Sequence, residues 1–210
     1  GNTPILISSS RDRTVRVWDL EERKAVALCD THTDAVTAVA MDKRMNQFFV
    51  SVGEDTVMKV YKMKPLNQFV KKWKGKSIPE EELLLLSNES RKVHEKDVND
   101  VDISANGRFI ATASFDKKVK IWNAEDLSLE DTFVHKKGVW CVRFSPTEKV
   151  IATGSADNVI RIWSLTTHTC LKVFEGHAQH VIRLAFLNRG SQLVSGGSSG
   201  MVKLWNIKTA

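Results

Sequence analysis

The sequence is poor in cysteine, proline and tyrosine. Its 210 residues include three cysteines, four prolines and one tyrosine. Cys29, Cys141 and Cys170 are odd in number, far apart and set in strand-like segments, which argues against a disulfide framework, and they lack the ligand spacing of a zinc site. We therefore expect buried thiols in a reducing compartment.

No part of the sequence is long and apolar enough to suggest a membrane span. The longest strongly apolar run, residues 83–86, is far shorter than the ~20 residues that a spanning helix requires. The N-terminus shows no secretory signal pattern either. These absences predict an intracellular protein without membrane contact.

Motifs typical of enzymes and metal sites are also missing. The 11 glycines are scattered through turns and form no phosphate-binding loop between a strand and a helix. His177 and His180 in the segment GHAQH have a two-residue gap found in some metal sites, but no carboxylate or thiol is spaced to complete the ligands. The sequence therefore predicts a non-catalytic protein without a metal, a cofactor or a small-molecule substrate.

The sequence does contain a repeated pattern of short apolar segments. In residues 135–165, HKKGVWCVRFSPTEKVIATGSADNVIRIWSL, three such segments are separated by Ser-Pro and Ala-Asp-Asn turns. This pattern predicts a meander of three strands. One such unit cannot bury its own apolar face, but the hydrophobic content of 42% is sufficient for a core built from several units.

Four positions recur in register along the chain. An aromatic residue ends each copy, at Trp18, Tyr61, Trp122, Trp163 and Trp205, with a period near 42 residues that is interrupted once. His stands 28 or 29 residues before this aromatic in four copies, Ser or Thr stands ten before it in all, and an acid stands six before it in all but the last. The three later copies contain the sets His94, Thr112, Asp116 and Trp122; His135, Thr153, Asp157 and Trp163; and His177, Ser195, Ser199 and Trp205.

The chemistry of these side chains suits a buried chain of hydrogen bonds. Asp accepts from imidazole, a hydroxyl both donates and accepts, and an indole N–H only donates, so the four groups can satisfy one another. Each bond contributes about 0.5 to 1.5 kcal/mol, whereas an orphaned buried partner costs about 1 to 3 kcal/mol. Because one active site would not need a Ser, His and Asp in every repeat, we expect the tetrads to be structural.

A repeat of about this length, with His early and Trp late, resembles the WD-repeat β-propeller family. Gly176-His177 and Trp18-Asp19 are the intact dipeptides of the family signature. The resemblance implies an all-β fold of four-stranded blades. The strand pattern then predicts a single partial propeller over residues 1–210, with about four and a half blades of a seven-bladed parent.

Residues 63–92 interrupt the period and form a predicted insertion in the second blade. The fourth strand of that blade could be residues 68–73 or 82–86, which would place the insertion on opposite rims. The insertion holds a basic segment around an aromatic ring, consisting of Lys71, Lys72, Trp73, Lys74 and Lys76. Three interpretations are open: a solvated loop, a nucleic-acid contact in which lysines bind phosphates and the ring stacks on a base, or a protein-docking segment.

A second group of lysines is predicted to share one rim. Lys117 and Lys118 lie in one turn, and Lys136 and Lys137 lie in the adjacent loop. We call these four residues the lysine patch. With a formal net charge of +6, the chain is suited to anionic partners.

Trp140 is a further candidate for interaction. It follows Val139 of a predicted first strand, at a position where the other copies have Thr37, Asn99 and Ile182. Packing in the core is the favoured interpretation. The alternative places the ring near the mouth of the central channel, where an aromatic side chain could act as a binding hot spot.

A narrower resemblance, to the transducin beta-like protein 3 family, is carried within residues 93–209 by the segments VHEKDVNDVDIS, KKGVWCVRFSP, ATGSADNVIRIW and CLKVFEGHAQHVIRLAFLNRGSQLVSGGSSGMVKLWNIKT. This resemblance implies a nucleolar scaffold of the UTP-B subcomplex of the small-subunit processome, acting in 18S ribosomal RNA maturation. Its partners would be other protein subunits of that complex, with weak contact to pre-ribosomal or small nucleolar RNA. The alternative is a WD-repeat adaptor of another complex, such as a ubiquitin-ligase substrate receptor or a signalling scaffold.

Overall fold

The computed structural model describes residues 4–30, 32–44, 47–63, 84–85 and 88–207. Its strands form five sheets, here called blades 1 to 5, and all strand pairs but one are antiparallel. Within the described residues the only helical element is a 3-10 turn at Asn188–Gly190. The predicted all-β fold is confirmed.

Neighbouring strands of a blade follow one another in the chain, except at the outer strands of blades 1 and 2. Blade 1 contains β1 (Ile5–Ser9), β2 (Thr14–Asp19), β3 (Lys24–Asp30) and the two-residue β7 (Leu84–Leu85). Blade 2 contains β4 (Val36–Met41), β5 (Phe48–Gly53), β6 (Val57–Lys62) and β8 (Asn88–Lys92). Blade 3 contains β9 (Val98–Ile103), β10 (Phe109–Ser114), β11 (Lys118–Asn123) and β12 (Leu129–Val134). Blade 4 contains β13 (Val139–Phe144), β14 (Val150–Ser155), β15 (Ile160–Ser164) and β16 (Cys170–Phe174), and blade 5 contains β17 (Val181–Leu187), β18 (Gln192–Gly197) and β19 (Val202–Asn206).

The apolar core lies between successive blades. Val119 and Ile121 of blade 3 share one buried cluster with Val142 and Ile151 of blade 4, and none of these side chains is more than 3% exposed. Burying a side chain of this size contributes roughly 1.5 to 3 kcal/mol. A blade therefore depends on its neighbours for much of its stability.

Two buried aspartates join the first strands of blades 3 and 4. Asp100 Oδ2 accepts hydrogen bonds from Val142 N at 3.1 Å and from Arg143 Nη1 at 2.5 Å. Asp102 Oδ2 accepts a hydrogen bond from Phe144 N at 2.8 Å. Burial raises the pKa of both carboxyl groups, against the opposing effects of Arg143 and of these hydrogen bonds. The interface between these two blades is thus polar at its centre, which the apolar pattern does not predict.

The fourth strand of blade 2 differs from the predicted candidates. β6 pairs with Asn88–Lys92. The candidate at residues 82–86 is wrong, because Leu84–Leu85 within it pairs in parallel with β3 of blade 1. The candidate at residues 68–73 lies outside the described residues. The side chains of residues 89–92 are exposed, so the sequence of this outer strand carries no apolar alternation by which to recognise it.

This strand assignment fixes where the insertion leaves the blade. Residues 88–92 belong to blade 2 and not to the insertion predicted over residues 63–92. The turn that carries Asp55 precedes β6, whereas the insertion follows Lys62 at the other end of the same strand. The insertion therefore leaves from the rim opposite the tetrads.

The predicted burial of the cysteines is correct at two of the three positions. Cys29 and Cys141 are buried and form no disulfide, and burial raises the pKa of the Cys141 thiol. Cys170 is exposed, so the prediction is wrong there. The reason is its place on β16, the outer strand of blade 4, where Phe174 is the buried residue.

Candidate functional site

The candidate site is the rim at which the tetrads assemble, here called the tetrad rim. In blades 2 to 5 the loop before the first strand carries His, and the turn between the second and third strands carries Asp or Ser. The residue after this Asp or Ser has a positive φ in all five blades, at Arg13, Thr56, Lys117, Asn158 and Gly200. One backbone turn is thus repeated, and it holds the Asp or Ser at an equivalent position in each blade.

Blade 3 has a continuous hydrogen-bond chain. His94 Nδ1 donates to Asp116 Oδ2 at 2.8 Å, Thr112 Oγ1 donates to His94 Nε2 at 2.8 Å, and Trp122 Nε1 donates to Thr112 Oγ1 at 3.0 Å. The neutral imidazole with its proton on Nδ1 satisfies every one of these contacts. Burial opposes ionisation of Asp116, but the hydrogen bonds that it accepts from His94, Glu95 N and Lys118 N outweigh burial and lower the pKa of Asp116 to about 2.

Blade 2 has the same arrangement with a phenol in place of the indole. His32 Nδ1 lies 2.8 Å from Asp55 Oδ2, and His32 Nε2 lies 2.6 Å from Ser51 Oγ. Ser51 Oγ is 3.4 Å from the Tyr61 hydroxyl, which is a longer contact than the indole makes in blade 3. Burial lowers the pKa of His32, although Asp55 acts in the opposite direction.

The tetrad of blade 4 is divided into two parts. His135 Nε2 lies 2.8 Å from Thr153 Oγ1, and Trp163 Nε1 donates to the same oxygen at 3.0 Å. Asp157 does not complete the chain, because its Oδ2 faces Arg161 Nη2 at 2.8 Å. His135 Nδ1 is buried and has no hydrogen-bond partner in the described part of the chain. Burial and the charge of Arg161 lower the pKa of His135 to about 4.

The tetrad of blade 5 is also incomplete. His177 Nε2 lies 2.6 Å from Ser195 Oγ, and Trp205 Nε1 donates to Ser195 Oγ at 2.7 Å. Ser199 is exposed and makes no hydrogen bond to the imidazole, so His177 Nδ1 is buried without a partner among the residues described. Burial and the nearby Lys203 lower the pKa of His177.

Blade 1 contains the serine, the acid and the indole of the pattern. Trp18 Nε1 donates to Ser8 Oγ at 2.9 Å. Asp12 accepts from the Thr14 hydroxyl at 2.6 Å and faces Arg16 at 3.7 Å. Blades 1 and 4 thus both pair the acid with an arginine four residues later.

This basic residue is the member of the site that sequence reasoning missed. The position four residues after the acid or Ser199 is basic in every copy, at Arg16, Lys59, Lys120, Arg161 and Lys203. In blade 3 this residue is engaged elsewhere, since Lys120 Nζ donates to Val93 O at 2.7 Å. The recurrence of this basic residue was visible in the sequence. Only the structure shows in which blade it pairs with the acid, so that the acid does not bond to the histidine.

A cavity of about 440 Å³, here called the channel mouth, lies between the first strands. Trp140 lies on its wall and packs edge-to-face against Phe115, with ring centroids 4.7 Å apart. The ring is half-buried and is not among the residues of the buried core, so it occupies the less favoured of its two predicted places. The cavity is lined by Ser9, Arg11, Ala35, Val36, Thr37, Glu54, Asp97, Asn99, Phe115, Trp140 and Arg183.

The residues that align with Trp140 join neighbouring blades. Thr37 Oγ1 donates to Val98 O, and Asn99 Nδ2 donates to Val139 O at 2.7 Å. The indole N–H of Trp140 is buried and has no acceptor within the described ranges. At the step from blade 4 to blade 5, the link to the equivalent carbonyl, Val181 O, comes instead from Cys141 Sγ at 3.7 Å.

The lysine patch lies on the tetrad rim. His135 N donates to Lys117 O at 2.8 Å, which brings the turn of blade 3 against the loop that leads into blade 4. The side chains of Lys117, Lys136 and Lys137 are exposed, and Lys118 is half-buried. The basic segment at residues 71–76 lies outside the described residues.

A second cavity, of about 560 Å³, lies between blades 3 and 4 at the opposite rim. Phe109, Phe144 and Leu165 provide apolar walls, and Glu130 and Asp131 provide acidic ones. No sequence motif indicated this groove, because the residues that line it come from separate turns.

The described part of the chain contains neither a cluster of metal ligands nor a membrane-spanning helix. No group of three or more His, Cys, Asp or Glu side chains there could hold a metal ion. No described helix has the length and apolarity to cross a membrane.

Comparison with known proteins agrees with the repeated geometry. The family described as "WD domain, G-beta repeat" matches residues 1–19, 88–123, 128–164 and 168–206, more than half of the chain. U3 small nucleolar RNA-associated protein 13 of Saccharomyces cerevisiae is 35% identical over 138 residues, which cover 60% of this chain and 15% of that protein. Transducin beta-like protein 3 of Mus musculus and of Homo sapiens is 36% identical over 132 residues, which cover 61% of this chain and 16% of each relative. The chain therefore belongs to the WD-repeat family, and its five sheets are blades of a WD-repeat β-propeller.

Proposed function

We propose that this chain is part of a non-catalytic scaffold that docks protein subunits of the small-subunit processome, in the manner of a UTP-B subunit, during 18S ribosomal RNA maturation. The observation that carries the proposal is its similarity to a protein named for association with U3 small nucleolar RNA, at 35% identity over 138 residues. The matched region is 15% of that relative, so the proposal concerns the role of these blades within a larger protein. Such a protein would act in the nucleus, at the nucleolus.

The use of the polar side chains supports a scaffold role. The Ser, His and Asp residues that recur in each repeat bond to one another inside the blades, as Thr112, His94 and Asp116 do in blade 3. Groups engaged in this way stabilise the fold and are not presented to a substrate. The tetrads thus make a rigid body whose rims are available to partners.

Two concave surfaces of different chemistry suit protein partners. The channel mouth presents the half-buried Trp140 beside the charged groups of Arg183 and Asp97, and a partly buried aromatic ring is a common hot spot of protein interfaces. The groove between blades 3 and 4 presents Phe144 and Glu130 at the opposite rim. We infer that protein contacts at these rims provide most of the assembly energy.

Contact with RNA is proposed as a secondary contribution. Lys117, Lys136 and Lys137 are exposed together on the tetrad rim. Each phosphate that a lysine neutralises contributes about 0.7 to 0.9 to the slope of log affinity against log salt concentration. A few such contacts give only weak binding that depends strongly on salt.

The test separates the two contributions in the full-length protein. One variant replaces the lysine patch and Lys71, Lys72, Lys74 and Lys76 by Ala, and a control variant replaces Lys43, Arg44 and Arg108, which are exposed residues of the opposite rim. We expect both variants to retain cosedimentation with 18S precursors and binding to purified partner subunits. Loss of cosedimentation in the first variant alone, with partner binding intact, would show that RNA contact dominates. Copurification with a ubiquitin ligase, without U3 RNA, would overturn the processome assignment itself.

A further inference from the structure

Blade 5 lacks the acid that the other four blades have at the tetrad turn. Ser199 stands at the position of Asp12, Asp55, Asp116 and Asp157. The basic residue four positions later is still present, as Lys203. The rim of blade 5 therefore has the cationic part of the pattern without its anion.

The backbone presents Ser199 as it presents the acid in the other blades. Gly200 follows Ser199 with φ 82°, and Asn158 follows Asp157 with φ 69°. The turns close with matching hydrogen bonds, from Gly200 N to Gly197 O at 3.0 Å and from Asn158 N to Ser155 O at 3.1 Å. A group attached to the Ser199 oxygen would thus start from the place where the other turns hold a carboxylate.

Donors for an anion are already at this position. In blade 3, Asp116 accepts from His94 Nδ1 at 2.8 Å, from Glu95 N at 3.2 Å and from Lys118 N at 3.0 Å. The equivalent donors in blade 5 are His177 Nδ1, Ala178 N and Met201 N. Among the described residues, His177 Nδ1 is buried and has no acceptor.

The surroundings have room for a group larger than a carboxylate. Ser199 is exposed at the tip of its turn, and so is Gly200. A Cβ built on Gly200 would meet no atom within 4 Å. Lys203 Nζ donates to Gly176 O at 2.5 Å, which holds its charge against the loop that carries His177.

We propose that Ser199 is a phosphorylation site, and that its phosphate completes the tetrad of blade 5. A protein kinase would transfer the γ-phosphoryl group of a nucleoside triphosphate to Ser199 Oγ. The new bond joins this oxygen to phosphorus, the bond to the β-phosphate oxygen breaks, the nucleoside diphosphate leaves, and the hydroxyl proton passes to the kinase or to solvent. The phosphate then accepts a hydrogen bond from His177 Nδ1, while Lys203 keeps its bond to Gly176 O, as Lys120 keeps its bond to Val93 O in blade 3.

The modification would fix one loop of the tetrad rim. In blade 3 the acid ties the turn between β10 and β11 to the loop before β9, because Asp116 bonds to both. In blade 5 Ser198 N of this turn donates to His180 O of the loop at 2.9 Å, but no described residue ties the turn to the imidazole of His177. Phosphorylation would therefore order this part of the rim without altering the sheet.

The structural test uses phosphoserine installed at Ser199 in the full-length protein, with phosphoserine at the adjacent exposed Ser198 as the control. Ser198 Oγ donates to Gln179 Oε1 at 3.3 Å, so it faces a different group. We expect amide hydrogen exchange in residues 177–182 to slow roughly tenfold with phosphoserine 199, as one charge-assisted hydrogen bond would produce, and not to slow with phosphoserine 198, which loses its bond to Gln179 in that segment. Ser199→Asp restores the acid of the other blades and should also slow this exchange.

Each result decides the proposal. Slower exchange with phosphoserine 199 than with phosphoserine 198 supports it. Slower exchange in Ser199→Asp but not with phosphoserine 199 would show that the phosphate does not fit, and equal exchange in all forms would show that no anion binds there. Mass spectrometry of the protein from its own cells should find phosphate on Ser199, and its absence across growth states would overturn the proposal as a site used in the cell.

Discussion

Arg161 Nη2 lies 2.8 Å from Asp157 Oδ2. Because Asp157 forms this ion pair, it does not bond to His135, the histidine of the blade 4 tetrad. Both side chains are largely buried, at 13% and 10% exposure. In blade 3 the equivalent acid, Asp116, bonds to His94. The same four-residue signature thus yields an imidazole that bonds to its acid in one blade and, within the described residues, an imidazole that bonds only to its threonine, His135, in the next.

Arg161→Gln should allow Asp157 to form the tetrad hydrogen bond with His135. Loss of the guanidinium removes one cause of the low pKa of His135, and the released carboxylate can accept from His135 Nδ1. We expect the pKa of His135 to rise from about 4 by about one unit or more, as measured by NMR titration of the imidazole. Arg16→Gln, in the exposed pair of blade 1, is the control and should leave that titration unchanged. An unchanged titration in Arg161→Gln would mean that burial alone sets the pKa.

His135 should make the protein less stable in mild acid. Its folded pKa is about 4, whereas an unfolded histidine titrates near ~6.5. The unfolded chain therefore takes up the proton first, and the free energy of unfolding falls as the pH drops through this interval. We expect a loss of about 2 kcal/mol from this group between about pH 7 and about pH 5, measured by urea unfolding.

The matched variants for this experiment lie in the same blade. His135→Gln should lose that part of the pH dependence, since it removes the titrating group. Ile151→Val, at a fully buried position, lowers stability without removing a histidine and should keep it. The same pH dependence in His135→Gln and in the wild type would contradict the assignment.

Asp157→Ala should destabilise the protein more than Ser199→Ala. Removing Asp157 leaves the largely buried Arg161 without its counterion. It also removes the hydrogen bond that Val159 N donates to Asp157 Oδ1 at 3.2 Å. Ser199 is exposed and has no bond to lose within the described residues. We expect a difference of about 2 kcal/mol in the free energy of unfolding. Equal losses in chemical denaturation would show that the ion pair adds nothing to the fold.

Asp100→Asn should weaken the connection between blades 3 and 4. The asparagine amide is uncharged, so the hydrogen bond that Arg143 Nη1 donates at 2.5 Å to Asp100 Oδ2 would no longer be an ion pair. Arg143 is 28% exposed and recovers part of its hydration, so we expect a cost of about 2 kcal/mol. Calorimetric unfolding measures it, with Asp126→Asn, in an exposed turn, as the control. A melting temperature equal to that of the control would refute a role for Asp100 in joining the blades.

The regular part of the fold could be predicted because the repeat aligns equivalent residues. The register of His94 and Trp122 predicts the strands of blade 3 at residues 98–103, 108–113, 119–122 and 129–133, and each observed bound lies within one residue of these. In the inner strands, apolar residues alternate with polar ones or form short continuous runs, because neighbouring blades cover these strands. The outer strand at Asn88–Lys92 has no such cover, and its polar sequence gave no signal.

The electrostatic differences between blades could not be predicted from the pattern. Asp116 and Asp157 occupy the same position, but a lysine that bonds to a backbone carbonyl follows the first and an arginine that reaches the carboxylate follows the second. Likewise, the place of Trp140 depends on Phe115 from the neighbouring blade. Such outcomes depend on which of two partners is nearer in three dimensions, and sequence spacing does not contain that information.

The short pairing of β7 with β3 affects where another molecule could add a strand. An uncovered strand edge offers unpaired backbone groups to other chains, and aggregation starts there. β7 covers Ala27 and Leu28 on the outer side of β3. By contrast, β19 is the last strand of its sheet in the described part of the chain, and its Val202 and Leu204 side chains are 70% and 60% exposed. Within the described residues, another strand could therefore add more easily beside β19 than beside the segment of β3 that β7 covers.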